Sequence, residues 1–105
     1  MPSYDIGRLV DLVPGEARGF ELDGVEVAVV RLGDVVHAVG DICTHQRISL
    51  AEGAVHADAC ELECGKHGSR FSLLDGQPSC LPAVTPVPVY EVTVAVDGTV
   101  TVTLP

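Results

Sequence analysis

Cys43-Thr44-His45 and Cys64-Gly65-Lys66-His67 each set a thiolate donor ahead of an imidazole donor, and eighteen residues separate His45 from Cys64. That interval allows an excursion and a return strand, so two loops can converge on one site from the same end of a sheet. Two cysteines and two histidines can bind zinc tetrahedrally. They can also hold a 2Fe–2S cluster, with imidazoles on one iron and thiolates on the other. Spacing bears on the choice. A mononuclear site built from paired loops usually groups Cys-x-x-Cys and His-x-x-x-His, whereas each loop here mixes the two ligand types. Mixed loops suit two metal centres side by side. A structural zinc module with an interaction role is the alternative, and a visible spectrum separates them, because zinc is colourless.

The elements that must position these loops read as short strands. Hydrophobic residues make up 47% of the 105 residues and aromatics only 4%, with no Trp. The core is therefore aliphatic, and its many valines favour strands. The pattern predicts strands over Tyr4–Val10, Ala17–Leu22, Val25–Leu32, Val35–Val39, Ala57–Cys64, Arg70–Leu74, Val89–Val96 and Val100–Leu104. Asp23-Gly24, Gly33-Asp34 and Asp97-Gly98 are tight-turn signals between consecutive strands. Pro82, Pro86 and Pro88 exclude a central strand or a helix from Leu81–Val89, which reads as a stiff extended segment. No amphipathic helix of about ten residues is visible, and strands roughly every ten residues indicate an all-β antiparallel sandwich or small barrel. The length fits a single domain over 1–105. Gly40 to Gly53 loses alternation and gathers polar and ligand-type residues, which marks a functional loop.

The formal charge is −9. Nucleic acid and anionic membranes both attract clustered cations, so neither is an expected partner. An acidic surface suits solubility and steering toward a basic protein partner. No run approaches the roughly 18 apolar residues of a membrane span, and Met1-Pro2-Ser3-Tyr4-Asp5 lacks a secretory signal. The expected location is cytoplasmic, where disulfides are disfavoured and metal ligation better explains some of the cysteines. No nucleophile elbow, phosphate loop or paired catalytic carboxylates are present.

Asp41-Ile42-Cys43-Thr44-His45, Glu63-Cys64-Gly65-Lys66-His67-Gly68-Ser69 and Leu81-Pro82-Ala83 resemble the Rieske family, in particular the small Rieske ferredoxins that serve ring-hydroxylating dioxygenases. The likeness runs from about Tyr4 to Val102. It implies a Rieske fold: an antiparallel β-sandwich base with a small cluster-binding subdomain of two loops, about 41–83 here. It implies one 2Fe–2S cluster, with Cys43 and Cys64 on the inner iron and His45 and His67 on the outer iron near the surface. Such a cluster is neutral when oxidised and singly negative when reduced. Four thiolates would make it doubly and then triply negative, so imidazole ligation raises the potential.

The sequence departs from the high-potential respiratory members. Those carry a disulfide between the two loops, at positions occupied here by Ile48 and Lys66. Ser69 matches a serine that donates to a cluster sulfide, and Phe71 stands where those proteins have a tyrosine hydroxyl. One donor is lost and the background is acidic, so the expected midpoint is about −150 mV, at the family's lower limit. Gly68 would allow close backbone approach beside a ligand. Arg47 and Lys66 put positive charge next to the cluster, either as solvated loop charges or to stabilise the reduced state or touch a partner. Cys60 and Cys80 read as buried inert thiols, and His37 and His56 as non-ligands.

The resemblance implies an electron-transfer component and not an enzyme in itself. A flavin-dependent ferredoxin reductase would deliver single electrons and a terminal non-haem iron oxygenase would receive them. A second role also follows from likeness. Lys66–Leu73 and Pro86–Tyr90 are similar to compact Rieske proteins found with Suf-type iron–sulfur assembly, which would make assembly proteins the partners.

Overall fold

A computed structural model describes residues 2–42, 49–65, 68–79 and 85–104. Cys43, His45, Arg47, Ile48, Lys66, His67, Cys80 and Leu81-Pro82-Ala83 lie outside the described residues. Nine strands are described: β1 (Ser3–Arg8), β2 (Ala17–Leu22), β3 (Val25–Leu32), β4 (Val35–Gly40), β5 (Val55–His56), β6 (Glu61–Glu63), β7 (Arg70–Ser72), β8 (Val89–Val94) and β9 (Thr99–Thr103). All pairings are antiparallel. Six strands form one sheet in the order β1-β9-β8-β4-β3-β2, and β5-β6-β7 form a smaller one. The helical residues described are two 3-10 turns, Leu9–Asp11 and Leu50–Glu52. Among the described residues no helix is long and apolar enough to cross a membrane.

Two cores explain the pattern. Tyr4 and Ile6 of β1 and Phe20 and Leu22 of β2 reach one apolar cluster with Val29, Ala38, Val100 and Val102. Residues from both edges of the six-stranded sheet therefore meet, so the sheet wraps around its own interior. The second cluster lies between the outer face of β3 and β4 and the small sheet, and joins Ala28, Val30 and Val39 to Leu50, Leu62, Cys64, Phe71 and Leu73. Strand β3 serves both: Val27 and Val29 face the first core, Ala28 and Val30 the second. This is why its sequence, Val27-Ala28-Val29-Val30, is continuously apolar rather than alternating.

The β2–β3 hairpin matches the sequence reading at both ends. Asp23 and Gly24 both have positive φ, 53° and 82°, as a two-residue turn between right-twisted strands requires. Three expected strands are shorter than the pattern implied. β1 stops at Arg8, whose amide donates to the Asp11 carboxylate while the Leu9 amide donates to the Gly98 carbonyl. β7 stops at Ser72, whose hydroxyl accepts the Leu74 amide. β8 stops at Val94 because the Ala95 amide donates to Thr99 across the final turn.

The one larger correction concerns Ala57–Cys64. It is not a continuous strand. Val55 pairs with Leu62 and His56 with Glu61, so 57–60 is the turn of a hairpin. The turn ends on Cys60, at a φ of 55°. No Gly or Pro signals it, which is why the sequence hid it.

Candidate metal centre

Each ligand-bearing loop leaves the fold through a neck closed by hydrogen bonds. The first neck follows β4. Ile42 bridges to Ser49, and the Leu50 amide donates to the Asp41 carbonyl. The Asp41 side chain is buried and accepts from the Ser49 hydroxyl, at 2.9 Å to Oδ1 and 2.7 Å to Oδ2. Its Oδ1 also accepts the Ala51 amide at 2.9 Å. Asp41 thus caps the 3-10 turn Leu50–Glu52 from outside, a role that the N-cap Ser49 side chain does not take. Cys43 and His45 belong to the segment this neck encloses.

The second neck is the β6–β7 hairpin. Glu63 pairs with Arg70. The Cys64 amide donates to the Ser69 carbonyl at 2.7 Å, and the Gly68 amide to the Cys64 carbonyl at 3.0 Å. Gly68 has a φ of +74°, and among the described residues nothing lies within 4 Å of where a Cβ would sit. The left-handed conformation, more than close approach, is what calls for glycine there. Cys64 and Ser69 are both completely buried. Cys64 packs in the second core with Leu50, Leu62 and Phe71. Phe71 is itself fully buried.

Gly53 brings the two necks together. A Cβ there would lie 1.7 Å from the Glu63 carbonyl oxygen and 3.0 Å from the Gly65 nitrogen. Its φ of −91° is open to any residue, so glycine is required for space alone. The exit of the first loop thereby lies against the entry of the second.

On the small sheet, Glu63 Oε1 is 2.7 Å from His56 Nε2 and accepts from Arg70 Nε at 3.3 Å. Arg70 also faces Glu61, at 3.6 Å. The hydrogen bond from His56, reinforced by Arg70, holds the Glu63 carboxyl below its ordinary range. His56 is thus engaged with a carboxylate. His37 on β4 lies 3.8 Å from the Cys60 sulfur. Cys60 is half-buried rather than buried, and desolvation, with Glu61 nearby, pushes its thiol up. A protonated thiol is a poor nucleophile, in keeping with an inert role.

Sequence reasoning quoted Asp41 within a motif without giving it a task, and passed over Ser49. Asp41 reaches Ser49 across eight positions and Ala51 across ten, spans that no strand or helix period expresses. Among the described residues no three His, Cys, Asp or Glu side chains converge on a metal-sized site; Cys64 is the one proposed ligand they include. What the described residues do show is that the necks carrying the two Cys/His pairs emerge side by side over an apolar core. That placement fits a cluster needing one thiolate and one imidazole from each loop.

Comparison with known proteins agrees. Residues 3–91 match the Rieske [2Fe-2S] domain. The anthranilate 1,2-dioxygenase ferredoxin subunit of Burkholderia cepacia is 41% identical over 76 residues, 72% of this chain and 68% of that protein. The ferredoxin of carbazole 1,9a-dioxygenase from Nocardioides aromaticivorans IC177 superposes with a TM-score of 0.93 at 38% identity, covering 97% of each chain. A chain from a complex of reduced oxygenase and oxidized ferredoxin in carbazole 1,9a-dioxygenase gives 0.87 at 36% identity, over 95% of this chain and 91% of that one. With its paired loops, its all-β base and this match over most of its length, the chain belongs to the Rieske [2Fe-2S] domain family.

Proposed function

We propose that the protein is a one-electron ferredoxin of the cytoplasm, taking electrons from a flavin-dependent ferredoxin reductase and passing them to a terminal non-haem iron oxygenase. Cys43 and Cys64 would hold the inner iron and His45 and His67 the outer iron, with about 41–83 as the cluster-binding part of the single domain. When bound, the 2Fe–2S cluster accepts one electron and releases it again. The rest is the work of the chain. The two hydrogen-bonded necks fix where the ligands leave the fold. Leu50, Leu62 and Phe71 keep water from the Cys64 side. Ser69, buried and joined to Cys64 by a backbone hydrogen bond, would supply a hydroxyl near the sulfur atoms and tune the potential.

The observation that carries this reading is the adjacency of the two necks through Gly53. The relatives described above support the oxygenase role over iron–sulfur assembly, and the family match replaces the zinc alternative. In the test, anaerobically purified protein is assayed for iron and acid-labile sulfide and reduced for electron paramagnetic resonance. About two irons and two sulfides per chain and a Rieske-type signal are expected, lost in Cys43→Ala and His67→Ala. Reconstitution with a reductase and an oxygenase then reads the role: oxygenase turnover that proceeds equally well without this protein would overturn it.

A further inference from the structure

Building on the ligand assignment proposed above, we infer that Asp41 and Ser49 are a positioning pair that sets the first ligand loop and the charge felt there. Among the described residues the buried polar side chains are Asp41 and Ser69, one at each neck. Asp41 works through both its main chain and its side chain. Its amide donates to the Glu26 carbonyl of β3 at 3.1 Å, and its carbonyl accepts the Leu50 amide. Its carboxylate takes the Ser49 hydroxyl and the Ala51 amide. Neutral donors satisfy it, and among the described residues no cation pairs with it.

Two consequences follow from one arrangement. The clamp holds the two ends of the segment that carries Cys43 and His45 together, so the closure cost of that loop is met before the ligands engage. The carboxylate is also a fixed negative charge. Covalent geometry keeps the Asp41 and Cys43 Cα atoms within about 7 Å, two peptide units, and a buried charge so close to a ligand residue is screened less than an exposed one. It makes adding an electron harder and holds the midpoint down.

The two roles separate in variants of the holoprotein. Asp41→Asn keeps the shape and removes the charge, so its midpoint rises. Ser49→Ala keeps the charge and removes a donor that offsets it, so its midpoint falls. Its cluster half-life against a chelator, read by visible absorption, shortens about tenfold, as loss of a charge-assisted hydrogen bond implies. Amide exchange at Leu50 and Ala51 in the holoprotein, read by mass spectrometry, quickens by a similar factor. Ser49→Thr restores the hydroxyl and returns these readings toward wild type. General loosening would move the two midpoints the same way and would not be rescued by threonine; either result overturns the proposal. So does a Ser49→Ala protein indistinguishable from wild type, and this pair decides the matter even if Asp41→Asn fails to fold. Wild-type protein lacking iron and sulfide would instead overturn the ligand assignment, while unchanged variants of a loaded wild type would remove only the clamp.

Discussion

His37 sits on β4 with its ring against the Cys60 sulfur, and burial lowers its pKa from the ordinary value. The unfolded chain therefore takes up this proton first as pH falls. Stability from the neutral ring is full above the unfolded value, near 6.5, and is lost as pH drops below it toward the folded value. Replacing His37 with Gln removes that dependence. Urea midpoints between pH 8 and pH 5 should fall more steeply in wild type than in the variant; parallel curves would refute the assignment. At this scale the sequence was only partly legible. The Cys and His motifs announce their chemistry by type and spacing. The partners of His37 and Asp41 come from other strands and loops, and neither shows itself in a single segment.

Among elements, space decides more than charge. Gly53 lets the 3-10 turn lie on the end of β6, where a Cβ would fall within bonding distance of the Glu63 carbonyl. The backbone atoms it would strike cannot swing aside as a side-chain tip can. Gly53→Ala is expected to cost about 3 kcal/mol, roughly a 12–20 °C fall in melting temperature for a domain of this size, and to speed cluster loss. By contrast, Arg70 pairs with Glu61 and Glu63 from a partly exposed position on the small sheet, and surface pairs of this kind contribute about 0–1 kcal/mol each. Arg70→Ala should therefore move the thermal midpoint far less than Gly53→Ala, and a reversed order in a melting series would contradict this ranking. The strands were largely legible where turn chemistry frames them, as Asp23-Gly24 frames β2 and β3. The β5–β6 hairpin was not, because its turn bends through Cys60 rather than a glycine.

For the whole molecule, the net charge of −9 governs encounter more than folding. If the redox partners present basic surfaces, raising salt from about 50 to 200 mM shortens the Debye length. Second-order electron-transfer rates measured by stopped flow should then fall several-fold, and rates indifferent to salt would count against electrostatic steering. The wrapped sheet and the small sheet could have been two loosely joined bodies. Strand β3 prevents that. Val27, Ala28, Val29 and Val30 are wholly enclosed, and their alternate side chains are shared out between the interiors on either side. Neither interior can come apart while the other keeps the strand in place, so heat should bleach the visible colour and collapse the circular dichroism at one temperature, in a single cooperative event.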